Sequence, residues 1–163
     1  MKLKQAASWA EIISALGLVV SLIYVGIQVS DNTVATRSIT ASHANAEFID
    51  WYAHVTADPE LINLWYQGVR EPEQLSKQET LRFILLMHMI MLQFQNNYYL
   101  VQEGTLDKKV LDSITFTITL IKGTGGFDMY WKLRNKLFYP EFKLFMEDLM
   151  YNSQHQASPT YQE

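Results

Sequence analysis

Four side chains in the first third of this 163-residue sequence have the types and spacing to hold a metal ion. His43, Glu47, Asp50 and His54 follow one another at intervals of four, three and four residues, which on a helix places two imidazoles and two carboxylates along one stripe. Nitrogen and oxygen donors of this kind suit zinc or a related divalent cation. A solvated helix face beside the apolar stripe Ala41, Ala44, Phe48, Trp51 and Val55 has the same spacing, and that is the expected role; no cofactor is assigned. Glu11 is a second chemical feature, an acid one residue ahead of an uninterrupted apolar run. A carboxylate at that depth is costly unless it reaches the interface, pairs or takes up a proton. It either snorkels to lipid headgroups or has a function, with Lys4 two turns away as a partner across a subunit boundary.

Other groups have simpler readings. Gln93, Gln95, Asn96, Asn97, Tyr98 and Tyr99 offer amides and phenols that could line a small-molecule pocket, or could satisfy one another at the end of a helical bundle, which is preferred. His88, in the apolar run 83–94, reads as a core histidine with one ring nitrogen satisfied, and its methionine neighbours as core filler. Tyr130, Trp131, Phe138, Tyr139, Phe142 and Phe145 read as core or membrane-surface contacts. The stretch Lys122-Gly123-Thr124-Gly125-Gly126 hints at a phosphate cradle, but it follows a helix and lacks the trailing Lys-Ser/Thr, so it reads as a helix-helix connection. The sequence has no nucleophile elbow, no P-loop and no His-Glu-x-x-His. The absence of cysteine excludes disulfides, thiolate nucleophiles and Cys-based metal sites.

These residues need elements to position them, and every readable element is a helix. Residues 12–29 contain no ionised side chain and span roughly 27 Å as a helix, close to the ~30 Å hydrocarbon core of a bilayer. Trp9 and Tyr24 sit near the two ends, as interfacial aromatics do. The run is longer than the core of a usual signal peptide, and residues 30–35 make a poor cleavage site, so a retained anchor is expected. No Gly or Pro occurs from 27 to 58, which predicts one helix from about Lys4 to about Thr56. Asp58-Pro59 predicts a short helix to about Val69. Ser76 with Glu79 makes a capping box before a long helix ending at Gly104. Asp107 opens a helix to about Lys122, although residues 115–120 alternate like a strand. Two more helices are expected over 127–138 and 140–151. The run 83–94 is too short for a second span and apolar all round, which predicts a central helix with the others packed about it.

The fold expected is therefore all-α: a long N-terminal transmembrane helix continuing into a small helical bundle. Residues 1–30 are the anchor, 31–152 the bundle (31–56 continuing the first helix), and 153–163 a disordered tail. Once Lys2, Lys4 and Glu11 are set aside, 11 Lys and Arg stand against 16 Asp and Glu, a balance that repels phosphate backbones and excludes nucleic acid as a partner.

Ala10-Glu11-Ile12-Ile13-Ser14-Ala15, then residues 21–28 (Ser-Leu-Ile-Tyr-Val-Gly-Ile-Gln) and Asn32-Thr33, resemble the opening of a large family of bacterial proteins with one N-terminal transmembrane helix. The likeness continues through Asp58-Pro59-Glu60-Leu61, Leu64-Trp65, Gly68, Asn97-Tyr98-Tyr99, Gly104, Leu106 and Asp107 to Phe138-Tyr139-Pro140-Glu141-Phe142. The resemblance implies a single-pass protein of the bacterial inner membrane and supplies no activity. It favours a cytoplasmic domain, whereas Lys2 and Lys4 against Arg37 slightly favour an external one; the cytoplasmic side is preferred.

Within the first helix Ala10, Ser14, Gly17, Ser21, Tyr24 and Gln28 recur at alternating spacings of four and three, on one supercoiling stripe of small or polar residues. Joining helices in lipid relies on close approach at small residues and on hydrogen bonds, so a homo-oligomer is expected. The preferred function is a membrane-anchored, self-associating interaction or scaffold protein whose protein partner is not specified. Next comes a homo-oligomeric channel or transport component with this stripe lining the path, and last an enzyme with an unrecognised site.

Overall fold

The computed structural model describes residues 2–152, with side chains from Ala7 onward. The side chain of Lys4 and the tail from residue 153 lie outside the described residues. Among the described residues there are six α-helices and no strand: α1 Lys2–Ala57, α2 Pro59–Arg70, α3 Lys77–Gln102, α4 Lys108–Thr119, α5 Gly125–Arg134 and α6 Pro140–Glu147. Short 3-10 turns cover Pro72–Gln74 and Asn135–Leu137, and a π turn covers Asp148–Asn152. By its contacts the chain divides into two units that meet at Ile39 and Thr40.

The first unit is the N-terminal part of α1. Its helix is favoured by the absence of any breaker beyond Gly26. Thr33, whose hydroxyl has few partners in an apolar helix, donates it to the Val29 carbonyl at 2.8 Å. Every side chain from 7 to 39 is exposed. The stretch is long and apolar enough to cross a membrane, and none of its most apolar window is buried.

The second unit carries the core. The end of α1 buries Ala44, Phe48, Trp51 and Val55, the four- and three-residue spacing of one helix face. The Asp58 carboxylate caps α2 by accepting from the Glu60 amide at 2.8 Å, and Pro59 takes a first-turn position where its missing N–H costs nothing. The Ser76–Glu79 capping box opens α3: the Ser76 amide donates to Glu79 Oε2 at 2.8 Å and the Glu79 amide to Ser76 Oγ at 3.3 Å. Asp107 caps α4 through the Lys109 amide at 2.8 Å. Residues 115–119 are helical despite their alternation, because Leu111, Ile114 and Ile118 supply a buried face at helical spacing.

The central helix is α3, with Phe83, Met87, Met91 and Phe94 fully buried; burying each stabilises the fold by about 1.5–3 kcal/mol. Helices α2, α4 and α5 pack on it, as do α6, through Phe142 against Phe94 and Phe145 against Tyr98, and the end of α1, through the Trp51 bond to the Leu86 carbonyl, but one side stays uncovered. Leu81, Leu85, Met89 and Leu92 form an exposed line along that side. The other helices pack about α3 as expected, and this one side of the 26-residue helix is left open.

The closest packing is between α2 and α5. A Cβ placed on Gly126 would fall 2.1 Å from the Gly68 carbonyl oxygen and 2.6 Å from Val69 Cα, and one on Gly68 would fall 2.3 Å from the Phe83 ring. The α2 and α5 backbones touch only because residue 126 is glycine, while the missing Cβ at Gly68 makes room for the Phe83 ring of α3.

Candidate functional site

Beginning with the proposed metal ligands, His43, Glu47, Asp50 and His54 are all exposed on α1. Eleven residues of helix separate the two imidazoles by about 16 Å along the axis, so one ion cannot touch both. No group of three or more His, Asp or Glu comes together to hold a metal among the described residues. The stripe is a solvated face of a helix whose other side holds Ala44, Phe48, Trp51 and Val55.

The small-residue stripe of α1 faces outward along its length. Ala10, Ser14, Gly17, Ser21, Tyr24 and Gln28 are exposed, as is Glu11, and a Cβ on Gly17 would meet nothing within 4 Å.

The amide and aromatic cluster separates into two groups. Gln95, Asn96 and Tyr99, with Tyr139, line an open pocket of about 380 Å³. Gln95 Oε1 accepts from the Tyr139 amide at 3.1 Å, fixing the start of α6 against α3. The Tyr99 ring meets Tyr139 edge-on at 5.1 Å, and its hydroxyl donates to Glu141 at 3.5 Å; burial first, then the Glu141 charge, push that phenol above its ordinary value. Tyr98 packs instead against Phe145 and Phe142, at 4.8 and 5.7 Å. Asn97 is fully buried, and both its amide atoms lack a hydrogen-bond partner, as do Gln93 Oε1 and Trp131 Nε1.

His88 is partly buried, with Nδ1 2.8 Å from the Tyr130 hydroxyl and the Phe138 ring centred 5.5 Å from its own. Burial, and secondarily the Arg134 guanidinium, hold the imidazole below its ordinary value, so it is neutral near pH 7. Burial raises the Tyr130 phenol, which stays protonated. The pair is a neutral hydrogen bond pinning α3 to α5, the satisfied ring nitrogen expected of a core histidine. Its partner was not legible in the sequence, since 42 positions separate the two residues.

The glycine-rich connection is structural. Gly123 turns the chain with φ 73, Thr124 caps α5 by accepting from the Phe127 amide at 3.3 Å, and Gly126 is the close-packing residue opposite Gly68. Of the aromatic set, Tyr130, Trp131, Phe138 and Phe142 are buried, Phe145 partly so, and Tyr139 is exposed. Sequence reasoning missed one feature altogether, a cavity beside Trp51 whose walls come from four helices. No family model, no curated protein and no solved structure matches this chain.

Proposed function

We propose that this chain is a single-pass membrane protein that holds its helical domain at the bilayer surface and self-associates through the small and polar face of α1, serving as an interaction or scaffold protein. The observation carrying this reading is the N-terminal part of α1: an apolar helix with every side chain from 7 to 39 exposed. A soluble protein buries such a helix in its own core. Here lipid, or lipid and further copies, must cover it. Leu, Ile and Val occupy most of the circumference, which suits lipid, while Ser14, Gly17 and Ser21 allow another helix to approach.

The test compares two double variants of the full chain in bilayers. Gly17→Leu with Ser21→Leu removes close approach and lowers the oligomer population, whereas Leu18→Ala with Leu22→Ala leaves it unchanged. Equal effects, or a wild-type chain that stays monomeric, overturn the self-association. Release of the protein from membranes by alkaline carbonate, or a mature chain lacking residues 1–29, overturns the anchor. The domain is placed in the cytoplasm, so alkaline phosphatase fused after Glu163 is inactive.

A further inference from the structure

Between the last turns of α1 and α4 lie two adjoining cavities. The more enclosed, of about 120 Å³, is walled by Trp51, Trp65, Ile90 and Ile118. The outer one, of about 270 Å³, opens past Asn45, Ile49 and Ser113. Phe48, Tyr52 and Thr117 line both, so the two make one trough with a deep end and a mouth.

Its chemistry is graded. Neither cavity has an Asp, Glu, Lys, Arg or His in its walls, which excludes recognition of an ionic group in the interior. At the deep end the Trp51 indole already donates to the Leu86 carbonyl at 3.3 Å, and the Thr117 hydroxyl to the Ser113 carbonyl at 3.3 Å. Apart from the Tyr52 phenol, what remains is mostly hydrocarbon and aromatic face. Apolar cavities of roughly 150 Å³ stay dry and accept apolar guests in another protein, and a water-sized share of about 30 Å³ per group gives the deep end room for roughly four methylenes. The mouth differs, because the Asn45 amide and Ser113 hydroxyl stand at the rim, on exposed residues, beside the apolar floor of Ile49 and Ile114. A ring would fill the deep end and leave that floor bare. A hydrocarbon chain with a polar head fits both halves, and one deep end takes one chain.

We propose that this trough binds a single-chain amphiphile, a free fatty acid, with its methyl end lying against the edge-to-face pair Trp51 and Trp65, whose ring centroids are 4.9 Å apart, and its carboxylate in water at Asn45 and Ser113. The site lies wholly within the helical domain and does not depend on self-association.

The experiment uses the full chain in phosphatidylcholine nanodiscs and palmitic acid bearing a photoreactive diazirine near its methyl end, with labelled positions mapped by mass spectrometry. Label is expected on Trp51, Trp65 and Ile118, at least tenfold reduced by excess palmitate. Label on residues 12–29 reports the surrounding lipid and is not reduced. Ile118→Trp fills the deep end and abolishes labelling there. Ser113→Trp, at an exposed position that folding does not depend on, blocks the mouth with the same result. In a competition series, each methylene added to a short fatty acid improves competition about fourfold until the deep end is full. Three outcomes overturn the proposal: label confined to 12–29, label at Trp51 that neither variant changes, or equal labelling of Trp51 by a phosphatidylcholine carrying the same diazirine chain. Label that vanishes as the protein-to-lipid ratio rises gives the trough to a second copy and also overturns it.

Discussion

At His88 the chain sets a titratable ring against a phenol inside the domain, and the consequence is a pH dependence with a definite sign. Its folded-state value lies below the ordinary 6.5, so the unfolded chain takes up the proton first as pH falls. The stabilisation is complete above about 6.5 and is lost on acidification toward the folded-state value. Thermal unfolding should therefore occur at lower temperature at pH 5.5 than at 7.5, and His88→Gln should flatten that difference. Glu79, held below 4.5 by its bonds to Ser76, titrates outside this window. Asn97 supplies the opposite kind of residue-scale test. A buried amide without partners costs about 1–3 kcal/mol, so Asn97→Leu, which has the same number and branching of side-chain heavy atoms but larger methyl groups, should raise stability in chemical denaturation by up to that amount, less what the tighter packing takes back. The role of His88 was legible from its apolar neighbours, but its partner was not. Local sequence shows that a side chain will be buried, while the group that meets it there depends on how helices cross.

Among the elements, the same division holds for a physical reason. Asp58, Ser76 with Glu79, and Asp107 were readable as helix starts because a cap bonds to amides two or three residues away. Gly68 and Gly126 were not readable as a pair, since each glycine alone signals a turn as readily as a contact. The adjacent glycines Gly125 and Gly126 separate the two roles. A Cβ at Gly125 meets Pro72 Cδ at 3.4 Å, an ordinary contact, whereas one at Gly126 strikes backbone. Gly126→Ala should cost about 1–3 kcal/mol or more through forced separation of α2 and α5. Gly125→Ala should be neutral or slightly stabilising by lowering the freedom of the unfolded chain. Paired urea titrations would distinguish them, and equal losses would mean that α2 and α5 do not touch at this point. The open side of α3 shows the limit of composition: an all-round apolar run signals a central helix but does not say which side stays uncovered, and here Leu81, Leu85, Met89 and Leu92 do.

For the molecule as a whole, the buried core lies beyond the unit boundary at Ile39 and Thr40: Ala44 is the first buried residue among those described. A chain starting at residue 36 should therefore fold without detergent, with helical circular dichroism and a cooperative thermal transition. An unfolded product would mean that the N-terminal part of α1 contributes to the core. The long apolar run and the all-α class were the most legible features, since both follow from hydropathy and period alone. The trough beside Trp51 was the least legible, because it exists only where four helices, each ordinary in sequence, fail to close completely.

The glycine contact between α2 and α5 also sets a clock on synthesis. The ribosome finishes α2 and α3 well before it makes Gly126, and at roughly 5–20 residues per second the interval is several seconds. Through that time Phe83, Met87, Met91 and Phe94 have no α5 or α6 to pack against, and the Gly68 surface has nothing to meet. The nascent domain must wait, with its central helix incompletely covered, for the last quarter of the message to be read. A reading frame cut short before Gly126 would leave that helix incompletely covered for good, and quality-control proteases, rather than any loss of a binding residue, would decide the fate of the product.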